Sequence, residues 1–439
     1  MDTLIMAAQL LLGLSILVGL HELGHLLTAK MFGMRVEKFS IGFPPKIIGF
    51  KYGETEYSIG AIPLGGFVKI SGMVDESMDT DQLDSEPQPW EFRAKPAWQR
   101  LIVMLGGIIV NVITGIVIFT FLIYDRGDTF YSRDQVLEHG IEARAIGEEI
   151  GFQDGDIVLD INGQPYKRFD DLSSGEALLS SGGYYTVLRD GQEVRVEIPR
   201  GFINSFSNED ALSNFISLRY PMEVGDVVKG SPADQMGVKP KDRIVAINDQ
   251  EVVYFNEISS ALQNLSSGEA NFTIDRGGEL ITLSGSVKSD GTIGVYFNPL
   301  LEPVREKYSF LESIPKGTER AFSAVIINAK ALGRMFTGEV SARNVSGPIG
   351  MAKIYGNTWD WGKFWGITGL ISMILAFMNL LPIPALDGGH VVFLLYEMIS
   401  GQSPSERFLE NAQKVGMVLL LALMVFAIGN DILKIFTGW

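Results

Sequence analysis

The chain opens with Leu4-Ile-Met-Ala-Ala-Gln-Leu-Leu-Leu-Gly-Leu-Ser-Ile-Leu-Val-Gly-Leu20, and this uncharged run leads straight into His21-Glu22-Leu23-Gly24-His25. On a helix, positions i and i+4 share a face, so both imidazoles can reach one ion. The Glu after the first His can then act as general base on a metal-bound water, and zinc is the metal this pattern points to. A short H-E-x-x-H pattern arises by chance in soluble proteins, but here it follows 17 uncharged, mostly apolar residues. Ionisable groups in a membrane are expensive and default to a functional reading. At 1.5 Å per residue a helix rises about 26 Å from Leu4 to His21, against a hydrocarbon core of about 30 Å. The cluster then lies inside the hydrocarbon near one edge. Snorkelling of the three side chains to that edge is the competing reading.

Outward from that run, three further stretches are long enough to span a bilayer. They are Leu101–Tyr124, a stretch beginning near Ile367 and broken by Pro382 and Pro384, and roughly Val415–Ile428. A signal peptide is the other reading of the first run. It fits poorly, because no basic n-region precedes the run and a charged cluster stands where a small-residue cleavage site belongs. The loop from Lys30 to Arg100 holds nine Lys/Arg, and the loop after the third span carries Arg407 and Lys414. The positive-inside bias makes these two loops cytoplasmic and puts both termini outside. The 439 residues carry a net charge of −16 yet are 46% hydrophobic, with no cysteine. The charge is segregated. Residues 125–319 hold 33 Asp+Glu against 18 Lys+Arg, and the remaining chain is nearly balanced. This excludes a disulfide-stapled module and a soluble single-domain enzyme, and the acidity argues against a nucleic-acid partner.

The acidic insert contains a repeat. Gly151-Phe-Gln-Asp-Gly-Asp156-Ile-Val-Leu-Asp-Ile161-Asn162-Gly-Gln164 aligns with Gly237-Val-Lys-Pro-Lys-Asp242-Arg-Ile-Val-Ala-Ile247-Asn248-Asp-Gln250 at an offset of 86. Phe169 and Phe255 keep the offset, and Arg189 and Arg276 fall one residue out of step. Each unit reads as a turn, a buried strand, an Asn-Gly or Asn-Asp hairpin signal and a short helix. The second copy, entered through Gly230-Ser231-Pro232-Ala233, resembles a PDZ domain closely, and the first more loosely. PDZ domains capture extended peptides at a sheet edge; a plain shield or spacer is the other reading.

A catalytic zinc usually has three protein ligands and an open position for water. The candidates near the third span are Asp387, His390 and Glu397. In Asn379-Leu-Leu-Pro382-Ile-Pro384-Ala-Leu386-Asp387-Gly388-Gly389 two prolines break the helix. Irregular backbone at membrane depth is tolerated only when buried in protein or lining a wet cavity. Asp387 therefore sits where the chain can bend toward a site; a helix kink with Asp387 at the surface is the bland alternative.

With His21-Glu22-x-x-His25 on the first span and Leu386-Asp387-Gly388 on a broken later one, the sequence resembles the site-2 protease family of intramembrane zinc metalloproteases. It is most similar to the bacterial regulator-of-sigma-E protease type, which carries two tandem extracytoplasmic PDZ domains. Ile62-Pro-Leu-Gly65-Gly66-Phe-Val-Lys69 looks like the family's membrane-associated β-loop, with Met73-Val-Asp-Glu76 following. Gln99-Arg100 and Gly106-Gly107-x-x-x-Asn111 look like its second-span motif, although Ile108 stands where the branch usually has Pro. Asn344-Val-Ser346-Gly347-Pro348 resembles the segment ahead of the third span. The resemblance implies His21, His25 and Asp387 on zinc and Glu22 as base. It also implies a multi-pass protease of the bacterial inner (plasma) membrane, with the PDZ domains in the periplasm. Such a protease cuts single-pass transmembrane substrates, of anti-sigma-factor or signal-peptide-like type, after an upstream site-1 protease has trimmed them.

The expected fold is a polytopic α-helical membrane protein with four transmembrane helices, a membrane-associated β-loop and two inserted β-rich PDZ domains. Its parts are an N-terminal membrane half (1–124, β-loop 46–70), a first PDZ-like domain (125–221) and a second (222–300). An amphipathic linker (301–353) and a C-terminal membrane half (354–439) follow. Residues Thr318–Phe336 read as an amphipathic helix on the outer membrane face or packed on a PDZ domain. Gly65 and Gly66 in the β-loop, and Asn111, Asn344 and Asn379, are candidates to bind unwound substrate backbone; each Asn can equally bond a neighbouring helix. The reading of another class is a membrane PDZ adaptor that binds processed peptides and has a non-catalytic metal site.

Overall fold

In hydrocarbon every backbone N–H and C=O must be satisfied within the chain, so the uncharged runs become helices. A computed structural model describes residues 2–73, 86–180, 182–206, 211–265 and 268–437. It divides into two units, Met1–Gly127 with Lys307–Trp439, and Asp128–Glu306. Val74, Asp75 and Glu76, which follow the β-loop in the family resemblance, lie outside the described residues.

The first unit contains α1 (Asp2–Met31), a hairpin of β1 (Val36–Tyr52) and β2 (Thr55–Ile70), and α2 (Ala97–Arg126). After the insert come α3 (Phe310–Phe336), α4 (Pro348–Tyr355), α5 (Trp361–Leu380), α6 (Asp387–Ser400) and α7 (Glu406–Thr437). Among the described residues, four helices are long and apolar enough to cross a membrane: α1, α2, α5 and most of α7. The third starts six residues ahead of Ile367, because Asp360 caps it by accepting from the Lys363 amide at 2.8 Å. Polarity on α2 is inverted relative to a soluble helix. Ile109, Ile113, Val117 and Phe121 form an exposed stripe at spacing four, while Val103, Gly107, Asn111 and Gly115 are buried on another.

Small residues let the helices touch. A Cβ on Gly24 would lie 2.3 Å from the Gly106 carbonyl oxygen, and one on Gly106 would lie 2.7 Å from that of Gly24. Here α1 and α2 meet backbone to backbone, as small-residue motifs allow in membranes. On α3 the small residues Ser313, Gly317 and Ala321 are buried at spacing four. A Cβ on Gly317 would reach Thr120 Oγ1 at 2.5 Å, so this helix packs against α2. It starts at Phe310, earlier than its apolar spacing indicated, through a Ser309–Glu312 capping box. Phe322, Ile326 and Phe336 stay exposed on its other side.

The hairpin also starts earlier than residue 46, at Val36, because Val36–Phe43 pairs with the 62–70 half of β2 through several register shifts. Its far end exposes Ile47, Ile48, Phe50, Tyr52, Ile59 and Ile62, a patch of the kind that meets a membrane or a partner. The last helix extends well beyond residue 428 for a polar reason. Its buried Asp431 carboxylate accepts from the amides of Gly347, Ile349 and Gly350 at 2.9, 2.9 and 3.0 Å. Asn430 Nδ2 donates to the carbonyls of Arg343 and Val345. These two side chains satisfy the N-terminus of α4 and the turn before it.

In the second unit the repeat is structural as well as sequential. The strand Ile157–Ile161 pairs with Tyr184–Arg189, and Arg243–Ile247 pairs with Glu269–Arg276. A second pairing joins Ile141–Ala143 to Ile216–Leu218 in one copy and Met222–Val227 to Val295–Pro299 in the other. Asn162 and Asn248 both take positive φ, 55° and 53°. Their Oδ1 atoms accept from the Tyr184 and Asn271 amides. The two arginines that fell out of step still make the same contact. Arg189 and Arg276 each grip a buried aspartate, Asp156 and Asp242, with two bonds of 2.7 Å, and donate to the carbonyls of Gly151 and Gly237. Each copy has its own apolar core, around Phe152, Tyr185 and Phe215 in the first and Val224, Phe272 and Ile274 in the second.

Burial alone would raise the Asp242 carboxyl, but the Arg276 fork and the Lys239 amide hold it below the usual carboxylate range. Its stabilising contribution is therefore present above the unfolded value of about 3.9 and is lost as pH falls through the lower folded value. Asp242→Asn should destabilise the second repeat by about 2 kcal/mol, measured by urea unfolding of the 128–306 fragment at pH 7. The loss should shrink toward pH 3.

Candidate active site

The three ionisable residues of the opening cluster begin about two-thirds of the way along α1, where α2 crosses it. His21 and His25, one turn apart, are both buried, and Glu22 beside them is half-buried. The imidazoles lie against Gly107 of α2. A Cβ there would stand 2.5 Å from His21 Cε1 and 2.6 Å from His25 Nε2, so only glycine leaves room for both rings. His25 Nδ1 donates to the Val103 carbonyl at 2.8 Å. That carbonyl only accepts, so the Nδ1 proton is fixed and Nε2 presents a lone pair.

Asp387 arrives from the other end of the chain on an abrupt reversal. After Leu380 the chain passes Pro382 and Pro384, takes a φ of +76° at Ala385, and begins α6 at Asp387. A residue with a Cβ rarely adopts that φ, and such strain concentrates at functional sites. Gly388 lets the reversal close, since a Cβ there would meet the Leu381 carbonyl oxygen at 2.2 Å. The new helix packs on α2, with Val391 and Leu394 in one core with Leu26, Val103 and Met104. Asp387 Oδ2 thereby lies 3.1 Å from His21 Nε2 and 3.4 Å from His25 Nε2, and the two Nε2 atoms are 3.2 Å apart. The three form the one group of metal-competent side chains found among the described residues.

These separations fit a zinc ion. Ligand bonds of 2.0–2.2 Å at tetrahedral angles put neighbouring donor atoms about 3.3 Å apart. Asp387 Oδ2 is buried and faces the two imidazole Nε2 atoms, and a cation shared among the three would satisfy it. Two imidazole nitrogens and one carboxylate oxygen are the donor set of a catalytic rather than a structural site. Glu22 flanks the group. The β2 strand runs past it, with the Gly66 Cβ position 3.3 Å from Glu22 Cγ.

Of the other candidates, Glu397 pairs with Arg100 of α2, and His390 lies outside the three-residue group. Gly65 and Gly66 are both buried, Gly65 beneath the Phe43 ring and Gly66 against Val18 and Glu22. Asn379 is half-buried on the last turn of α5, and Asn344 ends a 3-10 turn at 342–344. Neither joins the metal group. Asn111 is fully buried, with Nδ2 3.2 Å from His21 Nδ1. The parts that sequence reasoning missed are the Val103 carbonyl and the fit of Gly107 against both rings. A stripe at spacing four, Val103, Gly107, Asn111 and Gly115, was the signal for them.

Comparison with known proteins gives one family. The model of peptidase family M50 matches residues 9–423. A regulator of sigma E protease of Haemophilus influenzae is 30% identical, covering 97% of this chain and 98% of the relative. The regulator of sigma-E protease RseP of Salmonella typhimurium is 28% identical over 97% of both chains. A protein of Pasteurella multocida provisionally named a zinc metalloprotease is 29% identical over 98% of both.

Gly107→Ala should lower zinc affinity at least about tenfold, because the two rings must separate to admit the methyl group. Gly333→Ala on α3, where a Cβ meets nothing within 4 Å, should leave it unchanged. Metal competition against a chelator in detergent solution reads both.

Proposed function

Because the chain belongs to peptidase family M50 and is a zinc-dependent metalloendopeptidase, we propose that His21, His25 and Asp387 hold the zinc and that Glu22 is the general base. The convergence of the three donor atoms within 4.8 Å of one another carries this reading. When bound, zinc supplies a Lewis acid that polarises a carbonyl and acidifies a water. Glu22 takes the proton of the attacking water and hands it to the leaving amine. The Gly65–Val68 stretch of β2, beside Glu22, holds the substrate extended by strand addition, because a helical peptide bond is inaccessible until it unwinds. Asn379, at the end of α5, and Asn344 bond backbone groups freed by that unwinding.

The substrates of this reading are transmembrane segments of single-pass proteins already trimmed by an upstream protease, cut in regulated intramembrane proteolysis. The four long helices support a place in the bilayer, and the names of the relatives support a bacterial inner membrane and a sigma-E-type pathway. The two copies of the repeat act as PDZ domains, 125–221 and 222–300, that gate access of bulky substrates. The shared strand order of the copies supports this. So does the Ser231-capped helix Pro232–Met236 at the entrance of the second. The basic loops after α1 and before α7 are placed in the cytoplasm, and the insert and both termini outside. Family membership favours this enzyme over a PDZ adaptor with an inert metal site.

Glu22→Gln should retain stoichiometric zinc while cleavage of a tethered transmembrane substrate falls at least about a hundredfold. Undiminished cleavage would remove Glu22 from the mechanism. Asp387→Ala should lose both zinc and cleavage. Stoichiometric zinc in that variant would move the third ligand to another residue, with His390 first in line.

A further inference from the structure

Both histidines turn Nε2 toward Asp387 and Nδ1 toward α2, but their Nδ1 partners differ. His25 faces a backbone carbonyl, whereas His21 faces the side-chain amide of Asn111, 3.2 Å away and fully buried. An amide has an acceptor end and a donor end of the same shape, and hydrogen bonding alone sets which one faces a neighbour. With Nδ2 on His21 Nδ1, the ring must carry its proton on Nε2, aimed at Asp387, and Asn111 Oδ1 is left buried without a partner. With the amide turned, Oδ1 accepts from His21 Nδ1–H, and Nδ2 takes the position where Oδ1 had no partner. Both imidazoles then present Nε2 lone pairs to one point. Asn111 is held in place for this, because Ser372 Oγ on α5 donates to its backbone carbonyl at 2.8 Å, at a buried contact between α2 and α5.

We infer that Asn111 is a positioning residue for the metal: through Oδ1 it keeps His21 in the Nδ1–H form that ligates, as the Val103 carbonyl does for His25. The inference rests on the proposed ligand set of His21, His25 and Asp387. It moves Asn111 from the substrate-binding group to the shell behind the ligands. Such outer partners typically affect metal affinity by about 10- to 100-fold.

The test uses the full chain in detergent, with zinc affinity read by chelator competition and coordination by the visible absorption of the cobalt-substituted protein. Asn111→Leu, similar in shape but without an acceptor, should weaken zinc binding about 10- to 100-fold and alter the cobalt spectrum. Asn111→Asp, which retains an acceptor toward Nδ1–H, should bind zinc at least as tightly as the parent and keep its spectrum. That rescue separates positioning from a merely structural role, and the Asp variant decides the question alone if the Leu variant does not fold. Wild-type zinc affinity in Asn111→Leu, with a changed KM for substrate, would overturn the inference and return Asn111 to substrate binding. Weakened zinc binding in Asn111→Asp would also overturn it. Zinc retained by Asp387→Ala would instead overturn the ligand set, so the two failures are distinguishable.

Discussion

Two helices that touch backbone to backbone at Gly24 and Gly106 are the constraint from which the membrane unit follows. Only that closeness brings the histidines of α1 into a shelf formed by Gly107, the Val103 carbonyl and Asn111 on α2. Charged and polar side chains sunk in an apolar bundle cost several kcal/mol each unless every one finds a partner. The remaining architecture supplies those partners. The reversal after α5 delivers Asp387, the β2 strand lines Glu22, and α6 packs where α1 and α2 already meet.

The sequence displayed the parts of this arrangement that depend on local pattern. Four long apolar runs, a one-turn spacing of His21 and His25, and prolines ahead of Asp387 are periodicities and breaks. Such signals survive without knowledge of the fold. Limits of elements were less legible. The hairpin starts at Val36 through irregular pairing that no alternation announces, and α7 runs on because Asp431 and Asn430 reach across to the α4 turn. The contact of Asn111 with His21 was hidden for a different reason. An asparagine on an apolar helix can face substrate, a neighbouring helix or a ligand ring, and only the distance to His21 distinguishes them.

The acidic insert follows another logic. Its two copies have diverged enough that the first has only short helical turns where the second has the ten-residue helix Phe255–Asn264. Yet both keep a buried aspartate forked by an arginine that also ties down a glycine carbonyl. The one-residue slip between Arg189 and Arg276 arises in the connection ahead of their strands, because the pairing shifts with it: Ile157 faces Leu188 as Arg243 faces Asp275, which leaves the two arginines at the same register. Charge on this unit is thus partly internal, spent on fixing loops, with the remainder left to water.

The reversal at Ala385 also orders events in time. His21 and His25 leave the ribosome about 360 residues before Asp387, which at 5–20 residues per second is roughly 20 to 70 seconds. Throughout that interval the nascent chain holds His21, Glu22 and His25 but lacks Asp387, so the three-residue group is incomplete. The three-residue group of the membrane unit can therefore close only after the whole 128–306 unit has been synthesised.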